Sequence, residues 1–203
     1  MGPALAGKVA VITGGASGIG RATAVRFAEE GADIVIGDLT PADETVRLVE
    51  KAGRRAIAVR TDTTKEADCD ALVAAAVAEF GKVDVGVAAA GIATAAGRSN
   101  VQTRAEQKDA TNVVNLPTEA FTRVLDVNVI GVMQTDRALA RQMLAQGTGG
   151  SIVNIASSAA KIPLAGGAPY CVSKAGVWML TKVMGLELAT TGIRVNAVGP
   201  GHT

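Results

Sequence analysis

Apolar positions along the chain fall into two alternating textures. Short runs rich in β-branched residues, Val9–Thr13, Asp33–Gly37, Ala56–Arg60, Val83–Ala88, Ser151–Ile155 and Ile193–Ala197, are apolar almost throughout. Strands buried on both faces have that character. Between them lie longer Ala/Leu/Val stretches of helical period, near 18–30, 41–52, 65–80, 118–146 and 170–191. Strands separated by helices predict right-handed βαβ units, hence an α/β fold with a doubly wound parallel sheet and helices on both faces. One domain covering residues 1–203 is expected, with no internal repeat beyond the βα alternation.

Residues 92–117 break the rhythm with Arg98, Arg104, Glu106, Gln107, Lys108 and Asp109. A connection that long is unusual in a compact domain. It reads either as a solvated excursion with a short helix or as a lid that touches substrate at the end of the fourth strand.

Composition narrows the picture. Apolar residues make up 48% of the 203 but aromatics only 2%. The core is therefore built from Ala, Val, Ile and Leu, which suits a covered parallel sheet. Net charge is +1 with no Lys/Arg cluster, so nucleic acid is not an expected partner. No segment has the length of uncharged apolar sequence that a membrane span needs, and the N-terminus lacks a signal-peptide layout. Two cysteines, Cys69 and Cys171, form no disulfide framework, so a reducing, cytoplasmic setting is expected. The single histidine, His202, leaves Ser-His-Asp hydrolysis or a multi-His metal site with nothing to draw on, and no metal is expected.

Two constellations carry candidate chemistry. The first is Thr13-Gly14-Gly15-Ala16-Ser17-Gly18-Ile19-Gly20, between the first strand and the first helix. Glycine lets a backbone turn tightly and approach a phosphate, and the helix N-terminus offers free N–H groups and partial positive charge to it. At the end of the second strand stands Asp38, whose carboxylate can accept both hydroxyls of an adenosine ribose and would repel a 2′-phosphate. That favours NAD over NADP. Asp38 could instead cap the turn at Thr40 and Pro41. The second constellation is the chain's one tyrosine, Tyr170, with Lys174 four residues later and Ser157 thirteen before. Positions i and i+4 share a helix face, and an ammonium beside a phenol favours the phenolate, a usable acid–base group. Ser157 has a twin in Ser158; one of the two could be a strand-end cap, and the spacing to Tyr170 favours Ser157. Cys171 is expected to be a buried structural thiol.

Joined, these motifs resemble the short-chain dehydrogenase/reductase family from about Lys8 to the last residue. Residues 13–20 match its TGxxxGxG turn, Tyr170–Lys174 matches YxxxK, and Ser157 falls at the catalytic serine spacing. The resemblance also covers Asn128 of the active-site helix, Asp62 beside adenine, and the Pro200-Gly201 turn beside the nicotinamide. It implies a Rossmann-like fold binding NAD through Gly14, Ser17, Gly18, Ile19, Gly20, Asp38, Asp62, Ala89, Ala90, Gly91, Tyr170, Lys174, Pro200 and Gly201. Hydride would pass between the nicotinamide C4 and a secondary alcohol or ketone. Tyr170 would be the acid–base group, Lys174 its electrostatic partner and a ribose ligand, Ser157 a donor to the reacting oxygen, and Asn128 the holder of a relay water. A homodimer or homotetramer through the two long helices is implied as well. An NADPH-dependent carbonyl reductase and a non-catalytic dinucleotide binder remain as alternatives.

The sequence departs from the family pattern twice. NNAG after the fourth strand reads Ala88-Ala89-Ala90-Gly91, which removes side-chain amides that would brace the strand. The chain also stops just past Pro200-Gly201, where the family continues into a substrate-covering segment and a seventh strand. A fragment or truncated protein, with a bare sheet edge, is therefore expected.

Overall fold

The computed structural model describes residues 2–93 and 111–201. Six parallel strands form one sheet in the order β3-β2-β1-β4-β5-β6, with β1 Val9–Thr13, β2 Asp33–Asp38, β3 Ala56–Arg60, β4 Val85–Ala88, β5 Gly150–Ile155 and β6 Ile193–Val198. The helices are α1 Gly18–Glu29, α2 Asp43–Lys51, α3 Glu66–Phe80, α4 Thr118–Leu125, α5 Gly131–Gln146 and α6 Ala168–Glu187. This is the doubly wound, Rossmann-like arrangement that the alternating texture predicts.

The strand alternation sorts the core into two layers. Ala10, Ile12, Ile34 and Ile36 meet Ala24 and Ala28 of α1 and Val49 of α2 on one face. Val9, Val11, Val35, Ile152 and Ile193 meet Leu72 and Val73 of α3 and Leu139 and Met143 of α5 on the other. Gly86 makes room for the second layer: a Cβ there would lie 2.3 Å from Leu139 Cδ1, so α5 sinks onto β4 only because that position is bare. α6 closes this layer through Val177, packed with Ala88, Val132 and Ala156. β6 lies at a sheet edge, where Arg194, Asn196 and Val198 are exposed and Ile193 and Val195 buried.

Three differences from the sequence expectation have a visible cause or consequence. β4 begins at Val85 rather than Val83, because Gln146 takes the Val83 backbone: its Oε1 accepts from Val83 N at 3.2 Å and its Nε2 donates to Val83 O at 2.6 Å. The stretch 118–146 is broken by a π-helical turn at Asp126–Ile130. The last helix starts two residues early, with Pro169 in its first turn, where a missing N–H costs nothing.

A polar cluster is buried between α5, β5 and α6. Asn154 Nδ2 donates to Asp136 Oδ2 at 2.8 Å and to Thr181 Oγ1 at 3.0 Å. Asp136 is fully buried, and its Oδ1, like Asn154 Oδ1, has no hydrogen-bond partner among the described residues. Burial pushes the Asp136 carboxyl up to about 7.

Candidate active site

β1 and β4 are neighbours in the sheet, yet β1 leads on toward β2 and β4 toward β5. At such a reversal the flanking connections diverge and open a crevice at the carboxyl ends of the strands. The glycine turn fills one side of it. Gly14 has φ +70°, and a Cβ there would lie 2.7 Å from Ala90 N. A Cβ on Gly20 would lie 2.1 Å from Gly14 O. The turn therefore folds back on itself and against the end of β4 at contacts that no side chain permits. Ser17 is the N-cap of α1 and its hydroxyl makes no capping bond. The first helical bond is Arg21 N to Ser17 O, which leaves the N–H groups of Gly18, Ile19 and Gly20 in the uncommitted first turn. Bare backbone, a free hydroxyl and a helix N-terminus together fit a pyrophosphate.

Asp38 ties this turn to β2. Its Oδ2 accepts from Ala16 N at 3.0 Å, and its Oδ1 accepts from Thr40 N and Thr40 Oγ1, each at 2.9 Å. The capping role is present, and a carboxylate with about four acceptor sites keeps room for a ribose hydroxyl. Asp62 accepts from Thr64 Oγ1 at 2.7 Å and Thr64 N at 3.1 Å, and the hydroxyl bond leads in holding its carboxyl below the usual range. Asp62 lines a cavity of about 500 Å³ with Leu39, Thr64, Arg123, Asp126, Val127 and Ile130.

The second cavity, about 260 Å³, brings the two sequence constellations together. Ile19 of the glycine turn, Ala89, Gly91, Ser157, Tyr170, Lys174, Pro200 and Gly201 all line it. Lys174 Nζ lies 5.7 Å from the Tyr170 ring centre and donates to Ile155 O at 2.7 Å. Burial pushes the Lys174 ammonium down to about 8. Ser157, not Ser158, is in the lining, and Ser157 also caps the short 3₁₀ turn Ser158–Ala160 by accepting from Ala159 N at 3.1 Å. Ser158 N donates to Pro200 O at 2.9 Å and so holds the Pro200-Gly201 turn against the end of β5.

Asn128 sits in the π turn, fully buried. Its Nδ2 donates to Ile92 O at 2.8 Å and its Oδ1 accepts from Ile92 N at 2.8 Å. The end of β4 is braced from Thr13: Ala89 N donates to Thr13 O at 3.2 Å and Ala90 N to Thr13 Oγ1 at 3.5 Å.

Cys171 is half-buried, because α6 turns it toward the short loop before the helix rather than into the core. Trp178 carries Lys182 Nζ at 4.0 Å and Lys161 Nζ at 4.7 Å from its ring centre. Sequence reasoning missed Ser173, which touches Asn128, and the Ile92 and Ile155 backbone groups. Only Ser173 had a signal, its place inside Tyr170–Lys174. Most of 92–117, including Arg98, Arg104 and Lys108, lies outside the described residues, as does His202. Among the described residues no helix is long and apolar enough to cross a membrane, and no group of His, Cys, Asp or Glu could hold a metal.

A glycine-lined crevice with a tyrosine, lysine and serine at one end defines a dinucleotide-binding oxidoreductase. The chain belongs to the short chain dehydrogenase family, whose model matches residues 8–203. It is 43% identical over 203 residues, all of this chain and 76% of the relative, to cis-4-hydroxycyclohexanecarboxylate dehydrogenase of Sinomonas cyclohexanicum. It is 41% identical to 3beta-hydroxysteroid dehydrogenase 1 of Eggerthella lenta, covering 97% of this chain and 71% of the relative. Carveol dehydrogenase from Mycobacterium avium in complex with NAD superposes with a TM-score of 0.87 at 32% identity, over 98% of this chain and 72% of that one.

Proposed function

We propose that the chain transfers a hydride between NAD(H) and a small-molecule secondary alcohol or ketone. One observation carries the reading: Ser157, Tyr170 and Lys174 share a single cavity with Ile19, Gly91, Pro200 and Gly201. A binder needs no acid–base group beside the place where the dinucleotide's reactive end would lie. Gly14, Ser17, Gly18, Ile19 and Gly20 would hold the pyrophosphate, Asp38 the adenosine ribose, and Asp62 the adenine. Ala89, Ala90, Gly91, Pro200 and Gly201 would flank the nicotinamide half. Asp38 supports NAD over NADP, since a carboxylate bound to the glycine turn repels a 2′-phosphate.

Bound NAD⁺ supplies the hydride acceptor. In the oxidation direction Tyr170 takes the alcohol proton. Lys174 favours that step by placing positive charge beside the phenol, and offers its remaining donors to a ribose. Ser157 donates to the substrate oxygen and orients it. Asn128 fixes the segment that follows β4 through both backbone groups of Ile92. The two curated relatives carry the names of hydroxylated rings, so alicyclic secondary alcohols are the first substrates to screen.

Self-association through α6 and the α4–α5 pair belongs to the same reading. Val172, Met179, Val183 and Leu186 form an exposed apolar stripe along α6, and light scattering that returned only monomer would reject a dimer or tetramer. A cytoplasmic setting fits two free thiols.

The test is absorbance at 340 nm with NAD⁺ and NADP⁺ across that screen, repeated with Tyr170→Phe. Turnover with NAD⁺ that disappears in Tyr170→Phe, with NAD binding retained, is expected. Unchanged turnover in the variant would remove Tyr170 from the mechanism, and faster turnover with NADP⁺ would overturn the Asp38 argument.

A further inference from the structure

Ser173 lies between the two catalytic side chains in sequence and is fully buried. Its hydroxyl has two partners. Asn128 Nδ2 donates to Ser173 Oγ at 3.0 Å, and Ser173 Oγ donates to Tyr170 O at 2.7 Å. The directions of these bonds are forced. Ile92 N–H can only donate, so the Asn128 atom facing it must be the amide oxygen, and the amide nitrogen faces Ser173. With a lone pair of Oγ taken by Asn128, the hydroxyl hydrogen is left for a carbonyl, and Tyr170 O receives it.

These bonds form one continuous line: the backbone of Ile92, the Asn128 amide, the Ser173 hydroxyl and the Tyr170 carbonyl. It joins the strand end that flanks the cavity to the first turn of the helix that carries Tyr170 and Lys174. The join is tight. A Cβ on Gly91 would lie 3.2 Å from Asn128 Oδ1 and 3.7 Å from Lys174 Nζ, and one on Gly176 would lie 3.3 Å from Val129 Cγ2. Both Asn128 amide hydrogens are committed, one to Ile92 and one to Ser173, so Asn128 cannot turn without breaking one of these bonds.

We propose that Ser173 is a positioning residue for the reaction: its hydroxyl locks the orientation of the Asn128 amide and fixes α6, and with it Tyr170 and Lys174, against the end of β4. Ser173 is fully buried and does not line the cavity that Tyr170 and Lys174 share. It acts on the reaction through geometry alone, and small displacements of reacting groups cost large factors in rate. The inference rests on the oxidoreductase reading for its kinetic consequence but not for its structural one.

The experiment compares Ser173→Thr with Ser173→Val, which have the same shape and differ in the hydroxyl. Two readouts are taken, kcat against NAD dissociation constant, and amide hydrogen exchange at Ile92. Ser173→Thr is expected to keep kcat within about threefold of wild type, and Ser173→Val to lose about tenfold or more, with NAD affinity unchanged in both. Ile92 exchange is expected to accelerate at least about tenfold in Ser173→Val only, since Asn128 is then free to turn away. Equal kcat and equal Ile92 exchange in the two variants would overturn the proposal. If the valine variant does not fold, Ser173→Ala removes the hydroxyl without adding bulk and is compared with wild type on the same two readouts. If the wild-type protein turns over no alcohol with either dinucleotide, the oxidoreductase reading fails, and Ile92 exchange alone decides the role of Ser173.

Discussion

Replacing Asp136 with asparagine should change how stability depends on pH, by an amount set by the burial of this carboxyl. Asp136 rises from 3.8 to about 7 because burial disfavours its charged form. In the unfolded chain it titrates at its ordinary value. Below about pH 4 both states hold the proton and the raised value costs nothing. As pH rises through this window the unfolded state releases its proton and the folded state keeps it, so stability falls until about pH 7 and then levels off. A rise of this size corresponds to on the order of 4 kcal/mol over the full window, of which about 3 kcal/mol falls between pH 5 and 8. Asp136→Asn keeps the shape and an oxygen to accept from Asn154 Nδ2, but has no proton to lose. Urea unfolding of both proteins at several pH values across that interval measures the difference. The variant should gain on the wild type by about 3 kcal/mol between pH 5 and 8. A difference that stays constant within about 0.5 kcal/mol would show that Asp136 is ionised in the folded protein across the whole range and would refute the reasoning.

Two further substitutions test the site. Gly20→Ala drives a Cβ to 2.1 Å from Gly14 O, so it should destabilise the protein by about 3 kcal/mol or more and abolish NAD binding; a Tm within about 2 °C of wild type would contradict the close-packed turn. Lys174→Met removes a buried ammonium held down to about 8 from 10.5, so the cost of its charge is present at pH 7 and relieved as pH rises toward the unfolded value. The variant should gain up to about 3 kcal/mol at pH 7, less the lost bond to Ile155 O, and lose turnover by about a hundredfold or more. Retained turnover would remove the ammonium from the mechanism.

The six strands were legible because buried parallel strands leave few ways to write them, and Val9–Thr13 and Ala56–Arg60 match residue for residue. The tyrosine, lysine, serine and glycine-turn positions were legible because local spacing fixes them on a helix face or in a turn. The π turn at Asp126–Ile130 was not visible in the periodicity of 118–146, because one shifted hydrogen bond leaves helical spacing almost intact. Its placement at Asn128 goes with a contact to Ile92, thirty-six residues away in sequence. Asp136 and Ser173 were hidden for the opposite reason. A polar residue on a helix reads as solvent-facing, and only the assembled layers show both enclosed. The start of β4 was misjudged by two residues because a side chain, Gln146, imitates a neighbouring strand.

With one tryptophan in 203 residues, the indole emission of this chain has a single source. That indole, Trp178, stands one helical turn beyond Lys174, between an ammonium of its own helix and another from the segment that follows Ser157. The protein thus has a built-in optical gauge whose signal should register any parting of those two segments, whether during denaturant titration or when a dinucleotide draws them together.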